Sequence, residues 1–467
     1  MNNSTPLKTS FSSLRLKADL INNLGSLGYN EMTPIQAQSL PVILDKKDII
    51  AQAQTGSGKT AAFGLGLLNN LDVTLYRVQS LILCPTRELA DQVAKEIRKL
   101  ARGIHNIKIL TLCGGMPFGP QINSLEHGAH IIVGTPGRVE EHLRKSNLNL
   151  DHLNTLVLDE ADRMLDMGFQ VTIDEIITYA PAQRQNLLFS ATYPEQIQSI
   201  AKRILTEPVM VKVESTHDDS TIQQRFYELK DNSERIQAIQ LLLLQERPGS
   251  TVIFCNTKRE TQEIADALRD TGFTALALNG DLEQKMRDQI LVRFANKSAS
   301  ILVATDVAAR GLDIDELDAV INVQIARELD VHTHRIGRTG RAGNQGLACT
   351  LVTQKETFKL KTLEDFLQQK FELNSLPSND LLNQPTYKPP MATLQIDGGK
   401  KQKVRPGDIL GALTGKNGIE GKQVGKIHIF DNCAYVAVSR KVSSDALHKL
   451  ESGKLKGRSF RVRQIRG

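Results

Sequence analysis

A glycine-rich turn that ends in lysine and threonine is the strongest chemical signal in this sequence. Gly56 and Gly58 would let backbone N–H groups point at phosphate oxygens, Lys59 would reach the terminal phosphates, and Thr60 would offer its hydroxyl to Mg²⁺. The motif usually opens with glycine, where this chain has Ala53. The turn predicts a site for a nucleoside triphosphate and Mg²⁺, formed by Ala53, Gln54, Thr55, Gly56, Ser57, Gly58, Lys59 and Thr60.

Acidic residues and arginines farther along the chain would supply the rest of a hydrolytic site. Asp159 and Glu160 follow an apolar run, so Asp159 is placed to hold Mg²⁺ through water and Glu160 to orient the attacking water. Arg338 and Arg341 belong to a run with three arginines in eight residues. They could neutralise transition-state charge when two halves of the chain close, although an exposed basic surface is the usual reason for such a run.

The elements that must position these residues occur in two similar series. Short apolar runs rich in Ile, Leu and Val alternate with helical patterns, first between residues 81 and 189 and again between 251 and 352. Near-continuous apolar strands separated by helices are typical of parallel sheets covered on both faces. The sequence therefore predicts an α/β protein with two tandem parallel-sheet domains, residues 1–213 and 222–371, of which only the first has a phosphate loop.

Charge is distributed unevenly along the chain. Residues 392–467 contain 16 Lys and Arg against 6 Asp and Glu, whereas the whole chain has a net charge of only +6. A basic C-terminal domain on a slightly acidic body predicts a polyanionic partner, with a solvated basic face as the alternative. The Pro- and Asn-rich segment 372–391 before it is interpreted as a flexible linker without packed elements.

The cysteines and the lengths of the apolar runs indicate the cellular compartment in which the protein is expected. The five cysteines are odd in number and far apart, which predicts free thiols in a reducing cytoplasm and no zinc site. No apolar run approaches the roughly 18 residues that a membrane span requires, and the first residues lack the apolar core of a signal peptide. We therefore expect a cytoplasmic protein with no membrane partner.

The run Asp159-Glu160-Ala161-Asp162 and about a dozen shorter motifs, in the same order, resemble those of the DEAD-box ATP-dependent RNA helicases. The resemblance covers residues 11 to about 345 and implies two RecA-like domains and RNA-dependent hydrolysis of ATP. It also implies that Phe11, Tyr29 and Gln36 recognise adenine, since an amide can both donate to and accept from that base. The resemblance further implies that Gly311 and Asp313 contact the nucleotide and that His334 is a catalytic residue.

The same resemblance assigns RNA contacts. Hydroxyl, N–H and guanidinium groups at loop ends can hold a phosphate backbone without reading the bases. In the family such contacts bend the bound strand, and a bent strand cannot stay in an A-form duplex. Ser190 and Thr192 are implied to couple hydrolysis to this strand separation. The implied RNA contacts are Thr86, Arg87, Gly115, Thr135, Arg138, Gly280, Arg287 and Thr305.

Two segments depart from the family's usual pattern, 139–141 after Arg138 and 323–326 in the second half. Neither contains a predicted nucleotide contact. The departures therefore concern strand bending and domain closure rather than hydrolysis.

The basic tail resembles the C-terminal domain of a bacterial subgroup of these helicases, with the element order β, α, β, β, α, β of an RRM-like α+β fold. An ordinary RRM stacks bases on several aromatic residues of its central strands, and here only Tyr435 is available. We therefore expect folded RNA held by loops and basic edges. The resemblance implies a hairpin of large-subunit ribosomal RNA, and we expect the partners to be pre-50S particles and the protein to be a monomer. The candidate contacts are Lys400, Lys401, Lys403 and Arg405.

Three functions are compatible with these patterns. The first is an RNA-dependent ATPase that separates short RNA duplexes during large-subunit assembly. The second is an ATP-gated RNA clamp or chaperone with little unwinding. The third is a processive DNA translocase, against which Gln36, Asp162 and the RRM-like tail argue.

Overall fold

The computed structural model describes residues 9–54, 56–213, 222–309, 317–340 and 345–465. These residues form two compact units, which divide within residues 214–221. Four predicted site residues lie outside the described residues, namely Thr55, Gly311, Asp313 and Arg341. Within the described ranges, none of the helices has the length and apolar character needed to cross a membrane.

A seven-stranded parallel sheet forms the centre of the first unit, with the strand order β3-β4-β2-β5-β6-β1-β7. Ile131 and Val133 belong to one apolar cluster and Ile132 to another, because successive side chains of a strand point to opposite faces. Both faces are covered, as the apolar runs predicted. The strands are β1 (Ile49–Gln52), β2 (Ser80–Leu83), β3 (Ile109–Leu112), β4 (Ile131–Gly134), β5 (Thr155–Leu158), β6 (Gln185–Ser190) and β7 (Val209–Lys212).

Helices connect these strands and cover the sheet. Some begin at polar caps, as where Thr86 Oγ1 accepts a hydrogen bond of 3.3 Å from Leu89 N. The helices are α1 (Ala18–Ser26), α2 (Pro34–Leu44), α3 (Lys59–Asn70), α4 (Arg87–Leu100), α5 (Phe118–Glu126), α6 (Pro136–Arg144), α7 (Ala161–Asp166), α8 (Gln170–Thr178) and α9 (Glu195–Ile204).

The second unit begins with another seven-stranded parallel sheet, in the order β10-β11-β9-β12-β13-β8-β14. The prediction of two tandem RecA-like domains is thus confirmed. The strands are β8 (Ile222–Leu229), β9 (Thr251–Cys255), β10 (Ala275–Leu278), β11 (Ile301–Thr305), β12 (Ala319–Asn322), β13 (Gly346–Thr353) and β14 (Leu373–Asn374). The helices are α10 (Arg235–Glu246), α11 (Lys258–Asp270), α12 (Gln284–Ala295), α13 (Asp306–Ala309), α14 (Leu329–Ile336) and α15 (Thr357–Leu367).

A small antiparallel sheet, β16-β17-β15-β18, completes the second unit and has the predicted β, α, β, β, α, β order. One face of this sheet packs on its own helices, where Leu394 and Ile396 join the apolar core. The elements are β15 (Met391–Ile396), α16 (Pro406–Thr414), β16 (Val424–Ile429), β17 (Ala434–Ser439), α17 (Ser443–Ser452) and β18 (Val462–Gln464).

The other face of the tail sheet docks on the second parallel-sheet domain. Thr393 and Gln395 point to this face and are nearly fully buried. Thr393 Oγ1 lies 2.7 Å from Ser298 Oγ and accepts from Asn296 Nδ2 at 3.1 Å, while Gln395 Oε1 accepts from Gln289 Nε2 at 3.3 Å. The contact is polar and satisfied by hydrogen bonds, so it fixes an orientation as well as a position.

The segment 372–391, interpreted from sequence as a flexible linker, instead packs against the second parallel-sheet domain. β14 pairs with β8, and the Tyr387 ring meets Phe273 edge-on with 5.9 Å between centroids. Leu376 and Leu381 join the same apolar cluster. The prediction was wrong because the prolines and asparagines indicated mobility, whereas three spaced apolar side chains anchor the segment.

His332 on α14 is a buried imidazole whose two ring nitrogens have no hydrogen-bond partner among the described residues. Its ring stacks on Phe226 with 6.1 Å between centroids. Burial, and secondarily the charge of Arg335, lowers the pKa of His332 to about 4. The side chain is therefore neutral in the folded protein at pH 7.

We predict that His332→Leu stabilises the second unit and reduces its acid sensitivity. The ordinary pKa of histidine is about 6.5, so below that pH the unfolded chain binds a proton that the folded chain excludes. The free energy of unfolding should fall by about 2 kcal/mol between pH 7.5 and pH 5 in the wild type through this residue. Denaturant unfolding at both pH values should show a smaller fall in the variant. The exposed His448, changed to Gln, is the control, and an equal fall in His332→Leu and the wild type would contradict the prediction.

Candidate functional site

The predicted residues of the first unit follow its strands in two adjacent groups. β5, β6 and β1 are neighbours in the sheet, and they lead to Asp159, Ser190 and the phosphate loop. β3, β4 and β2 are also neighbours, and they lead to Gly115, Thr135 and Thr86. Because parallel strands end at the same edge, the predicted nucleotide contacts and the predicted RNA contacts lie side by side along that edge.

The phosphate loop adopts the left-handed backbone that its glycines permit, with φ of +84° at Gly56 and +96° at Gly58. Gly58 is the N-cap of α3, so the loop ends at a helix N-terminus, which favours an anion. The Lys59 ammonium is buried and donates to the Ala53 carbonyl oxygen at 2.8 Å. This contact keeps the charge next to the loop, where a phosphate oxygen could replace the carbonyl.

Gln36 connects the predicted adenine motif to the phosphate loop. Its Oε1 accepts from Thr33 N at 3.0 Å and its Nε2 donates to the Gly58 carbonyl oxygen at 3.1 Å. A Cβ at Gly58 would lie 2.5 Å from Gln36 Nε2, so only glycine permits this approach. The two aromatic residues of the motif meet edge-on, with 6.5 Å between the centroids of Phe11 and Tyr29. Recognition of adenine by these three residues stays a prediction.

Asp159 is a buried carboxylate beside Lys59. Burial raises the pKa of Asp159 to about 7, against the opposing charge of Lys59. A buried carboxylate whose negative charge is not fully balanced by a neighbouring cation favours binding of a metal ion. This fits the predicted role of Asp159 and Thr60 in holding Mg²⁺. The described residues contain no group of three or more His, Cys, Asp or Glu that could hold a metal.

Glu160 has a backbone conformation that non-glycine residues rarely adopt, with φ of +52°. It is the N-cap of α7, and its N–H donates to Asp159 Oδ1 at 3.1 Å. Such strain persists only where the surrounding structure imposes it, and it occurs often at functional sites. The turn sets the direction of the Glu160 side chain at the carboxyl end of β5.

Asp162 joins the acidic run to the predicted coupling residues. Its Oδ2 accepts from Thr192 N at 3.0 Å and from Thr192 Oγ1 at 2.9 Å, and its N–H donates to Ser190 Oγ at 3.4 Å. The sequence prediction did not include Asp162 among the site residues, although its place as the last residue of the acidic run was the signal. The contact joins the segment after β5 to the segment after β6.

Arg87 and Gly115, both predicted RNA contacts, touch each other. Gly115 has φ of +70°, and a Cβ there would overlap the Arg87 guanidinium. The guanidinium therefore lies against Gly115, in the segment that follows β3. Of the other three predicted residues of this edge, Thr86 and Thr135 are mostly buried, and Arg138 follows on α6.

In the second unit, Arg335 fixes the helix that carries His334. Arg335 is 2% exposed, and its guanidinium donates to both Asp306 oxygens at 2.7 Å, to Asn256 Oδ1 at 2.8 Å and to the Gln324 carbonyl oxygen at 3.1 Å. These acceptors lie just beyond β11, β9 and β12. Arg335 was not among the predicted site residues, because the pattern of the arginine run carries no sign of which arginine is buried.

The predicted RNA residues of the second unit lie after the adjacent strands β10 and β11. Thr305 ends β11, and its Oγ1 accepts from Ala308 N at 3.4 Å, while Arg287 Nη2 donates to the Ala308 carbonyl oxygen at 2.8 Å. Gly280 follows β10, and a Cβ there would contact Lys258 at 3.6 Å. The site residue Arg338 directly follows the turn after α14, where its N–H donates to the Arg335 carbonyl oxygen at 3.3 Å.

The basic residues proposed for the tail lie in one loop after β15. Lys400 and Lys401 are exposed, and their N–H groups donate to the carbonyl oxygens of Phe430 and Asp431 at 2.9 and 3.0 Å. Lys403 follows with φ of +60°, and Arg405 caps α16. The loop therefore presents its charges on a folded surface.

Family comparisons cover most of the chain. Residues 33–200 match the DEAD/DEAH box helicase family, residues 233–343 the helicase conserved C-terminal domain, and residues 393–464 the DbpA RNA binding domain. The chain is 54% identical over 459 residues to the ATP-dependent RNA helicase DbpA of Escherichia coli (strain K12), which covers 98% of this chain and 100% of that protein. It is 42% identical over 372 residues to the DEAD-box ATP-dependent RNA helicase CshA of Geobacillus kaustophilus, covering 80% and 79%.

Solved structures resemble the two parallel-sheet domains. Dbp5 of S. cerevisiae, bound to RNA and ADP BeF3, matches with a TM-score of 0.71 and 29% identity over 80% of this chain and 96% of that one. Mss116p, bound to ssRNA and AMP-PNP, matches with a TM-score of 0.72 and 27% identity over 82% of each chain.

We predict that Gly115→Ala weakens RNA binding. The added methyl group would displace the Arg87 guanidinium and strain a left-handed backbone, so affinity for single-stranded RNA should fall by roughly tenfold, as expected when one charged hydrogen bond is removed. Fluorescence anisotropy with a labelled RNA measures this change. Gly119→Ala is the control, because a Cβ there meets nothing within 4 Å. Unchanged RNA affinity in Gly115→Ala, with the control also unchanged, would remove Arg87 from the RNA interface.

Proposed function

This chain belongs to the DEAD-box ATP-dependent RNA helicases, and on that premise we propose that it separates short RNA duplexes while its tail is anchored on ribosomal RNA of the large subunit. The proposed setting is assembly of the 50S subunit in the cytoplasm, by a monomeric protein. The observation that carries the catalytic part is the geometry after β5, where a strained Glu160 adjoins a buried Asp159 and the Lys59 ammonium lies beside them.

Each residue of the nucleotide site has a defined task in this proposal. The α3 N-terminus and the Lys59 ammonium bind phosphate oxygens in place of the Ala53 carbonyl. Mg²⁺, near Thr60 and Asp159, would supply charge neutralisation at the phosphates. Glu160 orients the attacking water and accepts its proton.

Coupling between hydrolysis and RNA is proposed to run through Asp162. Its hydrogen bonds to Thr192 and Ser190 link the segment that carries Glu160 to the end of β6. A shift of either segment must move the other or break two hydrogen bonds to a carboxylate, which are among the stronger ones in proteins. Arg338 and Arg341 remain proposed donors of positive charge to the transition state.

Specificity for ribosomal RNA is proposed to lie in the basic loop of the tail. Tyr435, the aromatic residue on the central strands, is 2% exposed, and Thr393 and Gln395 are buried with it on the docked face of the sheet. This burial supports an RNA site on loops rather than on the sheet. The match of residues 393–464 to an RNA binding domain supports the general assignment.

Replacement of Glu160 by Gln tests the catalytic proposal. The change keeps the shape but removes the base, so RNA-stimulated hydrolysis should fall by about 10²-fold or more while ATP and RNA still bind. Hydrolysis and displacement of a labelled strand should be measured together, because an ATP-gated clamp would hydrolyse ATP with little displacement in the wild type. The control is the exposed Glu175→Gln. Hydrolysis near the wild-type rate in Glu160→Gln would exclude Glu160 as the base.

Neutralising the basic loop tests the tail. A full-length variant with Gln in place of Lys400, Lys401, Lys403 and Arg405 should lose its preference for a ribosomal RNA hairpin over an unrelated one. Its binding should also depend less on salt, by about one unit of slope for each phosphate that the loop no longer neutralises. A variant with Gln at the exposed Lys416, Lys422 and Lys441 is the control. Retained preference in the loop variant would move recognition to another surface.

A further inference from the structure

We propose that Gln121 is a positioning residue for RNA binding, which acts by holding the Arg138 guanidinium. The inference rests on the proposed RNA contact of Arg138. Gln121 lies on α5, is buried, and belongs to none of the motifs found in the sequence. Its importance follows from its contacts alone.

Arg138 is held on several sides by neighbours in the first unit. Its Nη1 donates to Gln121 Oε1 at 2.9 Å and to the Met116 carbonyl oxygen at 3.0 Å, and its Nε lies 3.2 Å from Glu141 Oε2. The guanidinium carbon is 5.3 Å from the centroid of the Phe118 ring. A long side chain that could sample many rotamers is thus restricted to one position at the RNA edge.

The Gln121 amide has only one orientation that satisfies its surroundings. Its Nε2 donates to the Cys113 carbonyl oxygen at 3.1 Å, so its Oε1 must face Arg138. His142 Nε2 lies 2.9 Å from the same oxygen and therefore donates to it. A flipped amide would place an NH₂ group against two donors.

His142 serves as a fixed neutral donor to this oxygen. The ring is fully buried, and burial, followed by the charge of Arg138, lowers its pKa to about 4. It stacks on Phe118 with 4.2 Å between centroids and an interplanar angle of 12°. The proton of the neutral ring lies on Nε2, because Nδ1 has no hydrogen-bond partner in the described residues.

If Gln121, Arg138 and His142 served only to stabilise the fold, apolar side chains would be expected in their place. Buried polar networks contribute little net stability compared with apolar side chains of the same volume, and an unpartnered ring nitrogen costs free energy. The network does, however, fix a cation in place before a ligand arrives. Preorganisation of this kind lowers the entropic cost of binding a phosphate.

A double-mutant cycle in the full-length protein tests the proposal. Gln121→Met, Arg138→Ala and the double variant are compared for the RNA concentration that half-saturates ATP hydrolysis and for the rate at saturating RNA. Gln121→Met should raise the half-saturating concentration on the order of fivefold and leave the saturated rate and RNA-free ATP affinity unchanged. In the Arg138→Ala background the same change should have no further effect. Gln121→Glu, which keeps an acceptor for Arg138, should restore part of the affinity.

The outcomes distinguish failure of the proposed RNA contact of Arg138 from failure of the proposed role of Gln121. If Arg138→Ala leaves RNA affinity unchanged, the proposed RNA contact itself fails. If Arg138→Ala weakens binding but Gln121→Met does not, or if the two effects add, Gln121 does not act through Arg138. The half-buried Gln170→Met, at the start of α8, is the matched control for loss of a glutamine. Should Gln121→Met be unstable by thermal unfolding, His142→Phe, which keeps the stack but removes the donor, takes its place in the cycle.

Discussion

The chemistry of this protein depends on one property of parallel sheets, which is that all strands end at the same edge. In the first unit the predicted nucleotide contacts form one part of this edge, after β5, β6 and β1, and the predicted RNA contacts form the other, after β3, β4 and β2. The two parts meet where β2 and β5 are neighbours, and there the Asp159 N–H donates to the Leu83 carbonyl oxygen at 3.0 Å. Two ligands of different size can therefore bind to one rigid layer.

Side-chain hydrogen bonds connect neighbouring segments at this edge and at the corresponding edge of the second unit. Gln36 attaches the first helices of the chain to the phosphate loop, Asp162 attaches the acidic run to Thr192, and Arg335 performs the same task in the second unit. In each case a side chain on a helix forms hydrogen bonds with a residue that follows a strand elsewhere in the same unit. Because such contacts have few alternative arrangements, we propose that a shift of one segment moves its neighbour.

The sequence predicted the strands, the phosphate loop and the α/β class because these depend on local pattern, such as apolar runs and glycine spacing. The contacts of Arg335 and Gln121 could not be predicted from sequence, since each joins residues from different elements of the fold. The packing of 372–391 was missed for a related reason. Proline and asparagine content describes the freedom of an isolated segment, whereas Tyr387 and Leu381 gain their stabilisation from a surface formed more than a hundred residues earlier.

Docking of the tail sheet through Thr393, Ser298 and Asn296 holds the tail at one position and in one orientation on the second parallel-sheet domain. A tail on a flexible linker could instead move relative to the second parallel-sheet domain, over a distance set by the length of the linker. If the tail binds an RNA hairpin as proposed, a docked domain would instead fix one distance and one angle between that hairpin and the predicted RNA contacts of the second parallel-sheet domain. Substrates would then be selected by the spacing between hairpin and duplex, and insertion of base pairs between them would change the helical phase as well as the distance.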